Sequence, residues 1–216
     1  DPKTLVLNHP AAIRDANEKM VALRFPDLVP ATLVTCEIDR AMAWIGAQDG
    51  KVVLKPWDGN GGRGVLVTQH GDGSLRSMLE LLTEGEQTHI LVQEYIPEIA
   101  QGDKRIILID GEARGWMNRV PGPNDHRGNM HVGATVESAE LSESDRRICD
   151  AIGPWLKDSG LLFVGIDTIG SVMTEINVTS PTGIQEINRL MGTTLERELT
   201  DAVEQKLAAI RRGEKL

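Results

Sequence analysis

The sequence predicts an α+β fold with two α/β lobes and mostly antiparallel or mixed sheets. Strand-like and helix-like segments alternate along the 216 residues, and several successive strands are joined as hairpins, with helices expected on one face of the sheets. A chain of this length can bury a substantial core. Only 3% of the residues are aromatic, so aliphatic side chains must form most of that core.

The first half of the chain predicts helices separated by short strands. Apolar residues at helical spacing predict a helix over 11–25, which Pro26 ends. In chain order, the remaining elements are a strand at 31–35, a helix at 37–48, strands at 51–56 and 64–69, a helix at 74–85 and a strand at 88–97.

The second half begins with a predicted hairpin over 104–120, for which Asp110 and Gly111 form the turn. Residues 121–135 have little periodicity, and we interpret them as a lid loop rather than a disordered segment. Further along, the sequence predicts a helix at 141–160 with a Ser142–Asp145 capping box and Gly160 at its end, strands at 161–170 and 172–178, and a helix at 195–212.

Composition narrows the class of function. The net charge of −9 argues against a general nucleic-acid or anionic membrane surface, and no apolar run reaches the ~18 residues of a membrane span. Cys36 and Cys149 fit a reducing, cytoplasmic location better than a disulfide scaffold. The five histidines lack metal-ligand spacing, so we expect them at the surface. The start at Asp1 suggests a fragment of a longer chain.

A glycine-rich segment, LKPWDGNGGRGV at 54–65, matches the spacing of a dinucleotide-binding fingerprint. That fingerprint needs a helix after the glycines, whereas Val65–Val67 favour a strand, and no Gly-Lys-Ser/Thr triplet closes a Walker A loop. The alternatives left are a plain hairpin or a loop that covers phosphates with its backbone N–H groups, with Lys55 beside it. The glycines concerned are Gly59, Gly61, Gly62 and Gly64.

Three oxygen-bearing side chains follow on neighbouring strands. Glu175 and Asn177 share one face of a strand because they are two residues apart, and Asp167 lies on the preceding strand. An odd-length turn or a bulge would pair Asp167 with Glu175 and create an oxygen site suited to Mg²⁺. The alternative is an ordinary polar face of a sheet. Ser180-Pro181 predicts a rigid turn that binds a ligand carboxylate, or a plain loop entering a helix capped by Thr182.

With these residues in view, the sequence resembles the bacterial glutathione synthetases of the ATP-grasp superfamily. The resemblance runs from about residue 8 to residue 190, and its most specific stretch is TEINVTSPTG. The other matching stretches are RDANEK, LKPWDGNGGRGV, QEYIP, GDKRI, RGNM and LLFVGIDTIG. The resemblance implies an ATP-grasp fold that grips ATP between two lobes, and an additional N-terminal domain. One departure is Gly133-Ala134, where the family often has two glycines and where Ala134 would restrict the lid hinge.

The resemblance also implies roles for individual residues. Lys19 and Lys55 would contact ATP phosphates under a mobile cover formed by Gly59 to Gly64. Glu94, Tyr95 and Ile96 would face adenine, and Asp103 the ribose. Asp167, Glu175 and Asn177 would hold Mg²⁺, with Mn²⁺ as an alternative. Arg105, Arg119 and the turn Ser180, Pro181 and Thr182 would bind substrate or acyl phosphate, and Arg127 and Asn129 would lie on the lid.

The implied activity is ATP-dependent ligation of γ-glutamylcysteine to glycine, with release of ADP and phosphate. The implied organisation is a linker at 1–10, a small lobe at 11–92 and a large lobe at 93–216 that carries the lid at 120–135. The full-length protein is expected to form a homo-oligomer and to bind neither nucleic acid nor membrane. The alternatives are another ATP-grasp ligase, of the D-alanine–D-alanine or glutamate ligase type, and a non-catalytic ATP-binding module.

Overall fold

A computed structural model describes residues 4–59, 61–122 and 135–213. The strands are β1 (Thr32–Thr35), β2 (Lys51–Pro56), β3 (Leu66–Gln69), β4 (Ile90–Glu94), β5 (Asp103–Ile109), β6 (Glu112–Val120), β7 (Thr135–Glu137), β8 (Phe163–Ile169) and β9 (Val172–Asn177). The helices are α1 (Pro10–Asp15), α2 (Ile38–Gly46), α3 (Leu75–Leu82), α4 (Glu143–Asp158), α5 (Ile184–Met191) and α6 (Leu195–Arg211). Short 3₁₀ helices cover Val21–Arg24, Pro26–Leu28 and Pro97–Gln101.

The described strands form two separate sheets. The first has four strands in the order β1-β4-β2-β3, and the second has five in the order β7-β6-β5-β8-β9. Every neighbouring pair runs antiparallel, as the hairpin-rich sequence predicts. Within the described part of the chain, no helix is both long and apolar enough to cross a membrane.

Helices cover the two sheets differently. The four-stranded sheet buries apolar side chains against α2 and α3. The five-stranded sheet alternates along β5: Ile106 and Leu108 pack with α4, whereas Ile107 and Ile109 pack with α5 and α6. The expectation of helices on one face is therefore wrong for the larger sheet, since successive strand residues point to opposite faces and both sets are apolar.

The helix predicted over 11–25 is wrong in its second half. The helix α1 ends at Asp15, and the chain turns before the 3₁₀ helix at Val21. In that turn the side-chain oxygen of Asn17 accepts hydrogen bonds from the backbone N–H groups of Lys19 and Met20, each at 3.1 Å. Those donors are thereby taken from a continuing helix, a competition typical of asparagine.

Several local predictions are confirmed. Asp110 and Gly111 both adopt left-handed backbone angles, with φ of 51° and 72°, and join β5 to β6. Ser142 and Asp145 form a reciprocal capping box at the start of α4. The turn between β8 and β9 has two residues, and a bulge restores the predicted pairing of Asp167 with Glu175.

The strand β7 and the 3₁₀ helices at Pro26–Leu28 and Pro97–Gln101 were not predicted, and α5 was expected only in one alternative, as a helix entered from a loop and capped by Thr182. The helix α5 follows Gly183, whose left-handed backbone stands at its first cap position, so Thr182 is not the cap. The lobe boundaries stay a prediction, but two features of the packing bear on them. The strand β4 runs to Glu94 within the four-stranded sheet, and Ala16, Val21 and Leu28 pack against the core of the five-stranded sheet.

Candidate active site between the two sheets

A cleft lies between the two sheets. Its lining comes from both sheets, from the loop between β2 and β3, and from the turn that follows α1. The predicted site residues that line it are Lys19, Lys55, Gly59, Gly62, Glu94, Tyr95, Ile96, Asp103, Asp167 and Glu175. The structure therefore gathers residues from five separate parts of the sequence at one place.

Two aspartates that line this cleft form a buried charge network with two arginines that do not line it, Arg105 and Arg119. Arg105 Nε and Nη2 donate to the two oxygens of Asp167, at 2.5 and 3.0 Å. Arg119 Nη2 lies 2.6 Å from Asp103 Oδ2 and 3.1 Å from Asp167 Oδ1. Burial acts to raise the pKa of Asp167, but the guanidinium groups of Arg105 and Arg119 outweigh it and hold that pKa well below its usual range.

The register of the five-stranded sheet builds this network. Arg105 on β5 stands directly opposite Asp167 on β8, and Asp103 stands opposite Arg119 on β6. Opposite charges at directly paired positions attract across the strands, so these contacts follow from strand pairing alone. The resemblance predicted all four residues for the site, but it did not predict that they bond to one another.

One oxygen of the network has no partner. Asp103 Oδ1 is buried and, within the described residues, accepts no hydrogen bond. Burial raises the pKa of Asp103 to about 6, although the charge of Arg119 opposes this shift and that of Asp167 adds to it. An unpaired buried acceptor is costly, and the residue that carries it lines the cleft.

The strand β9 presents the remaining carboxylate. The bulge places Glu175 opposite Asp167, and Asn177 Nδ2 donates to Asp167 Oδ2 at 3.4 Å. Lys19 Nζ lies 3.5 Å from Glu175 Oε1. The three oxygen-bearing residues are therefore close together, as predicted. Guanidinium groups bind Asp167, and the ammonium group of Lys19 lies beside Glu175.

The turn at 16–20, which we call the strap, joins this strand to the glycine loop. The carbonyl of Glu18 accepts from the backbone N–H of Ile176 on β9 at 2.9 Å. Asn17 Nδ2 donates to the carbonyl of Trp57 at 3.0 Å, and Lys19 Nζ donates to the carbonyl of Gly59. The strap therefore contacts both sides of the cleft.

The glycine loop has the predicted strand–loop–strand context, because β3 follows it and α3 begins only at Leu75. Gly61, Gly62 and Gly64 have φ between 60° and 75°. A Cβ on Gly64 would also lie only 2.7 Å from Pro56 Cγ. The loop conformation thus requires glycine on both backbone and packing grounds.

Lys55 enters the cleft from the four-stranded sheet. Its Nζ donates to Gln93 Oε1 on the neighbouring strand β4, at 2.8 Å. Burial lowers the pKa of Lys55, while the nearby charge of Glu175 acts in the opposite direction. At the end of β4, Tyr95 and Ile96 are half-buried and line the same cleft.

The remaining predicted residues lie apart from the cleft surface. Ser180 and Thr182 are exposed, and the carbonyl of Thr182 accepts from Arg105 Nη1 at 3.2 Å. Pro181 lies over Gly165, where an added Cβ would stand 2.9 Å from its ring. Arg127 and Asn129, with most of the predicted lid, fall outside the described residues.

Comparison with known proteins shows to which family the chain belongs. The family described as prokaryotic glutathione synthetase, ATP-grasp domain, matches residues 18–192. The chain belongs to this family. The glutathione synthetase of Thermosynechococcus vestitus is 50% identical over 200 residues, which cover 92% of this chain and 63% of that protein. That of Brucella melitensis is 48% identical over 203 residues, covering 94% and 65%. The chain thus spans slightly less than two thirds of these relatives.

Solved structures agree with an ATP-grasp fold. The ATP-grasp ligase PsnB, complexed with a minimal precursor, Mg and ADP, is similar with a TM-score of 0.68 and 19% identity, over 95% of this chain and 63% of that one. The D-alanine–D-alanine ligase of Bacillus anthracis complexed with ATP has a TM-score of 0.64 and 17% identity, over 96% and 71%. The predicted ATP-grasp fold is confirmed.

Several residues of this site were not selected from the sequence, among them Thr174 in the cleft lining and two polar residues that contact predicted site groups. Gln93 contacts Lys55, and Asn17 contacts the loop before Gly59. Gln93 and Asn17 lie in QEYIP and RDANEK, two of the stretches that carry the family resemblance. Membership of these stretches was the sequence feature that could have identified them.

Proposed function

We propose that the protein is an ATP-dependent ligase that joins γ-glutamylcysteine to glycine and forms glutathione, ADP and phosphate. The observation that carries this proposal is the meeting of two lysines with two carboxylates in one cleft of the ATP-grasp domain: Lys19 and Lys55, with Asp167 and Glu175. The relatives named glutathione synthetase support the choice of substrates.

The lining of the cleft suits a nucleotide along its length. Adenine would lie against Tyr95 and Ile96 at the end of β4. The unpartnered Oδ1 of Asp103 would accept a hydrogen bond from a ribose hydroxyl. Lys55 and Lys19 would then meet the phosphates beneath the glycine loop, whose backbone N–H groups can approach phosphate oxygens closely.

A magnesium ion fits the oxygen donors of β8 and β9. Among the described residues, no group of three or more histidine, cysteine, aspartate and glutamate side chains is placed to hold a metal. The site would therefore depend on Asp167, Glu175, the amide oxygen of Asn177 and nucleotide phosphates, a combination that Mg²⁺ accepts. The bound ion would neutralise phosphate charge. The amide of Asn177 now presents its nitrogen to Asp167, so it would have to turn.

The ligation needs no nucleophilic side chain from the protein. The carboxylate of γ-glutamylcysteine would attack the γ-phosphorus of ATP, giving an acyl phosphate and ADP. The amine of glycine would then attack the acyl carbon, lose a proton and displace phosphate. Arg105 and Arg119 would stabilise the negative charge on the transferred phosphoryl group, because guanidinium groups bind phosphate oxygens in pairs.

Other features complete the proposal. Arg127 and Asn129 would shield the acyl phosphate from water, and the turn at Ser180, Pro181 and Thr182 would bind substrate. The lobes at 11–92 and 93–216 would close on ATP. We further propose a cytoplasmic homo-oligomer that accepts Mg²⁺ or Mn²⁺ and binds no nucleic acid.

Phosphate release from ATP tests the proposal. It is measured with Mg²⁺, on this chain and on a version extended upstream to the length of the relatives, with γ-glutamylcysteine and glycine together and singly. Release only with both, and a product with the mass of glutathione, is the expected result. Release only with other acid–amine pairs would indicate a different ATP-grasp ligase. Tight nucleotide binding without release from any pair would indicate a non-catalytic module.

A further inference from the structure

The side chain of Gln93 links Lys55 to a residue outside the cleft. Gln93 is 4% exposed, on the central strand β4. Its Oε1 accepts from Lys55 Nζ at 2.8 Å, and its Nε2 donates to Thr32 Oγ1 at 2.9 Å. Thr32 lies on the edge strand β1, directly opposite Gln93, and does not line the cleft.

The hydroxyl of Thr32 determines which way the amide of Gln93 faces. Thr32 Oγ1 donates its single proton to the carbonyl of Pro30 at 2.8 Å, so it can only accept from Gln93. The amide nitrogen must therefore face Thr32, and the amide oxygen must face Lys55. If the amide were reversed, its N–H groups would point at an ammonium group, and Thr32 Oγ1 would receive no proton from it.

A neutral partner has a second consequence for Lys55. The amide oxygen takes one of the three ammonium protons but adds no charge, so the remaining donors and the full positive charge stay directed at the cleft. A carboxylate at the same position would hold the lysine equally well but would cancel the charge that attracts phosphate.

We infer that Thr32 and Gln93 are positioning residues that orient Lys55 toward the nucleotide phosphates without adding a negative charge beside it. This inference rests on the proposed nucleotide site. It assigns a role in nucleotide affinity to Thr32, which would not touch the nucleotide itself.

Calorimetric titration of the chain with ADP and Mg²⁺ tests the inference. Thr32→Val keeps the size of the side chain but removes the acceptor, and we expect about tenfold weaker affinity, whereas Thr32→Ser should stay within about twofold of the wild type. Gln93→Leu should weaken binding at least as much as Thr32→Val. Gln93→Glu should weaken it further, since a carboxylate neutralises Lys55.

A matched control and a double variant separate this role from general stability. Thr68→Val removes another buried hydroxyl bond of the same sheet, from Thr68 Oγ1 to Asp72 Oδ2, and should leave affinity unchanged. In a Gln93→Leu background, Thr32→Val should cause no further loss. Wild-type affinity in Thr32→Val, or an equal loss in Thr68→Val, would overturn the inference alone. Absence of binding by the wild-type chain would overturn the proposed function, and this inference with it.

Discussion

The buried cations on the two sides of the cleft differ in their partners. On the five-stranded sheet, Arg105 and Arg119 are paired with Asp103 and Asp167, so the charges compensate one another without any ligand. On the four-stranded sheet, within residues 4–59, 61–122 and 135–213, Lys55 has a neutral amide as its hydrogen-bond partner and no carboxylate at ion-pair distance.

This difference separates stability from ligand binding. A compensated network stabilises the fold as it stands, and breaking it leaves a buried charge unpaired. A cation with only a neutral hydrogen-bond partner contributes little to the stability of the fold. It gains a favourable electrostatic interaction when an anionic ligand binds. We therefore expect substitutions on one side to affect mainly unfolding, and substitutions on the other to affect mainly nucleotide affinity.

The largest effect is expected at Lys55. Lys55→Met should weaken affinity for ADP and Mg²⁺ by about a hundredfold, since charge-assisted bonds to phosphate are lost. The free energy of unfolding of this variant should not fall. The substitution removes a partly buried cation that has no ion-pair partner, and with it the cost of burying that charge. Calorimetry and urea unfolding measure the two quantities. Lys157→Met, at an exposed lysine of α4 that does not line the cleft, is the control and should change neither appreciably. A large loss of stability in Lys55→Met would contradict the comparison.

The next effect is on stability, at Asp167. Asp167→Asn should lower the free energy of unfolding of the ligand-free protein by about 3 kcal/mol, because two buried guanidinium groups lose their shared counter-charge. Urea unfolding measures it. The exposed pair of Arg76 and Asp39 offers a control, and Asp39→Asn should cost less than about 0.5 kcal/mol. Equal losses at the two sites would show that the network does not stabilise the fold.

A smaller effect is expected in the pH dependence of stability. The pKa of Asp103 in the folded protein is raised to about 6, above its unfolded value, so the folded state retains this proton more strongly. Its contribution is complete below about pH 4 and is lost as the pH rises through 6, a decline of at most about 3 kcal/mol. The pKa of Asp167 is lowered, so its contribution persists across this range and is lost only in stronger acid.

Urea unfolding between pH 4 and 7.5 checks this expectation. Asp103→Asn cannot titrate, and the difference between the wild type and this variant isolates Asp103 from other carboxyl groups such as Glu18. The difference should change with pH in the stated direction. A pH-independent difference would mean that Asp103 is not held near its raised pKa.

The smallest effect concerns the strap, which joins the two sides. Asn17→Ser keeps a hydroxyl that can accept from the N–H groups of the turn, but it is too short to reach the carbonyl of Trp57. Nucleotide affinity should fall about threefold, since the glycine loop loses one anchor. Asn118→Ser, which removes an amide bond to the carbonyl of Gln101, is the matched control and should bind nucleotide normally. Equal nucleotide affinities in the two variants would show that the strap does not contribute to nucleotide binding.

Much of the fold and of the site was predictable because it depends on local patterns. Hairpin connections between successive strands predicted mostly antiparallel or mixed sheets, and the oxygen-bearing residues on β8 and β9 predicted an odd-length turn or a bulge, of which the structure has the bulge. The helix at 11–25 could not be predicted correctly from apolar spacing, because the spacing continues through Asn17 while its side chain ends the helix. The bounds of α5 could not be predicted, because this helix is short and lies between two glycines.

The site residues that sequence reasoning missed depend on contacts between distant segments. Gln93 becomes important only once β1, β4 and β2 are adjacent, since its amide then lies between Thr32 and Lys55. The pairing of Arg105 with a predicted metal ligand likewise needs the register of β5 on β8. Motif matching identified the residues, but only the sheet register shows which charges are already compensated.

A crystal structure of the chain with Mg²⁺ and a non-hydrolysable ATP analogue tests the central claim most directly. The account predicts phosphate oxygens within hydrogen-bond distance of Lys55 Nζ and Lys19 Nζ, with Gln93 still bonded to Lys55. It also predicts the metal ion on Asp167 and Glu175, with at least one arginine moved from Asp167 toward the phosphates. The account would be contradicted if the nucleotide bound outside this cleft. It would also be contradicted if the bound phosphates did not contact Lys55 Nζ and Gln93 remained its sole hydrogen-bond partner.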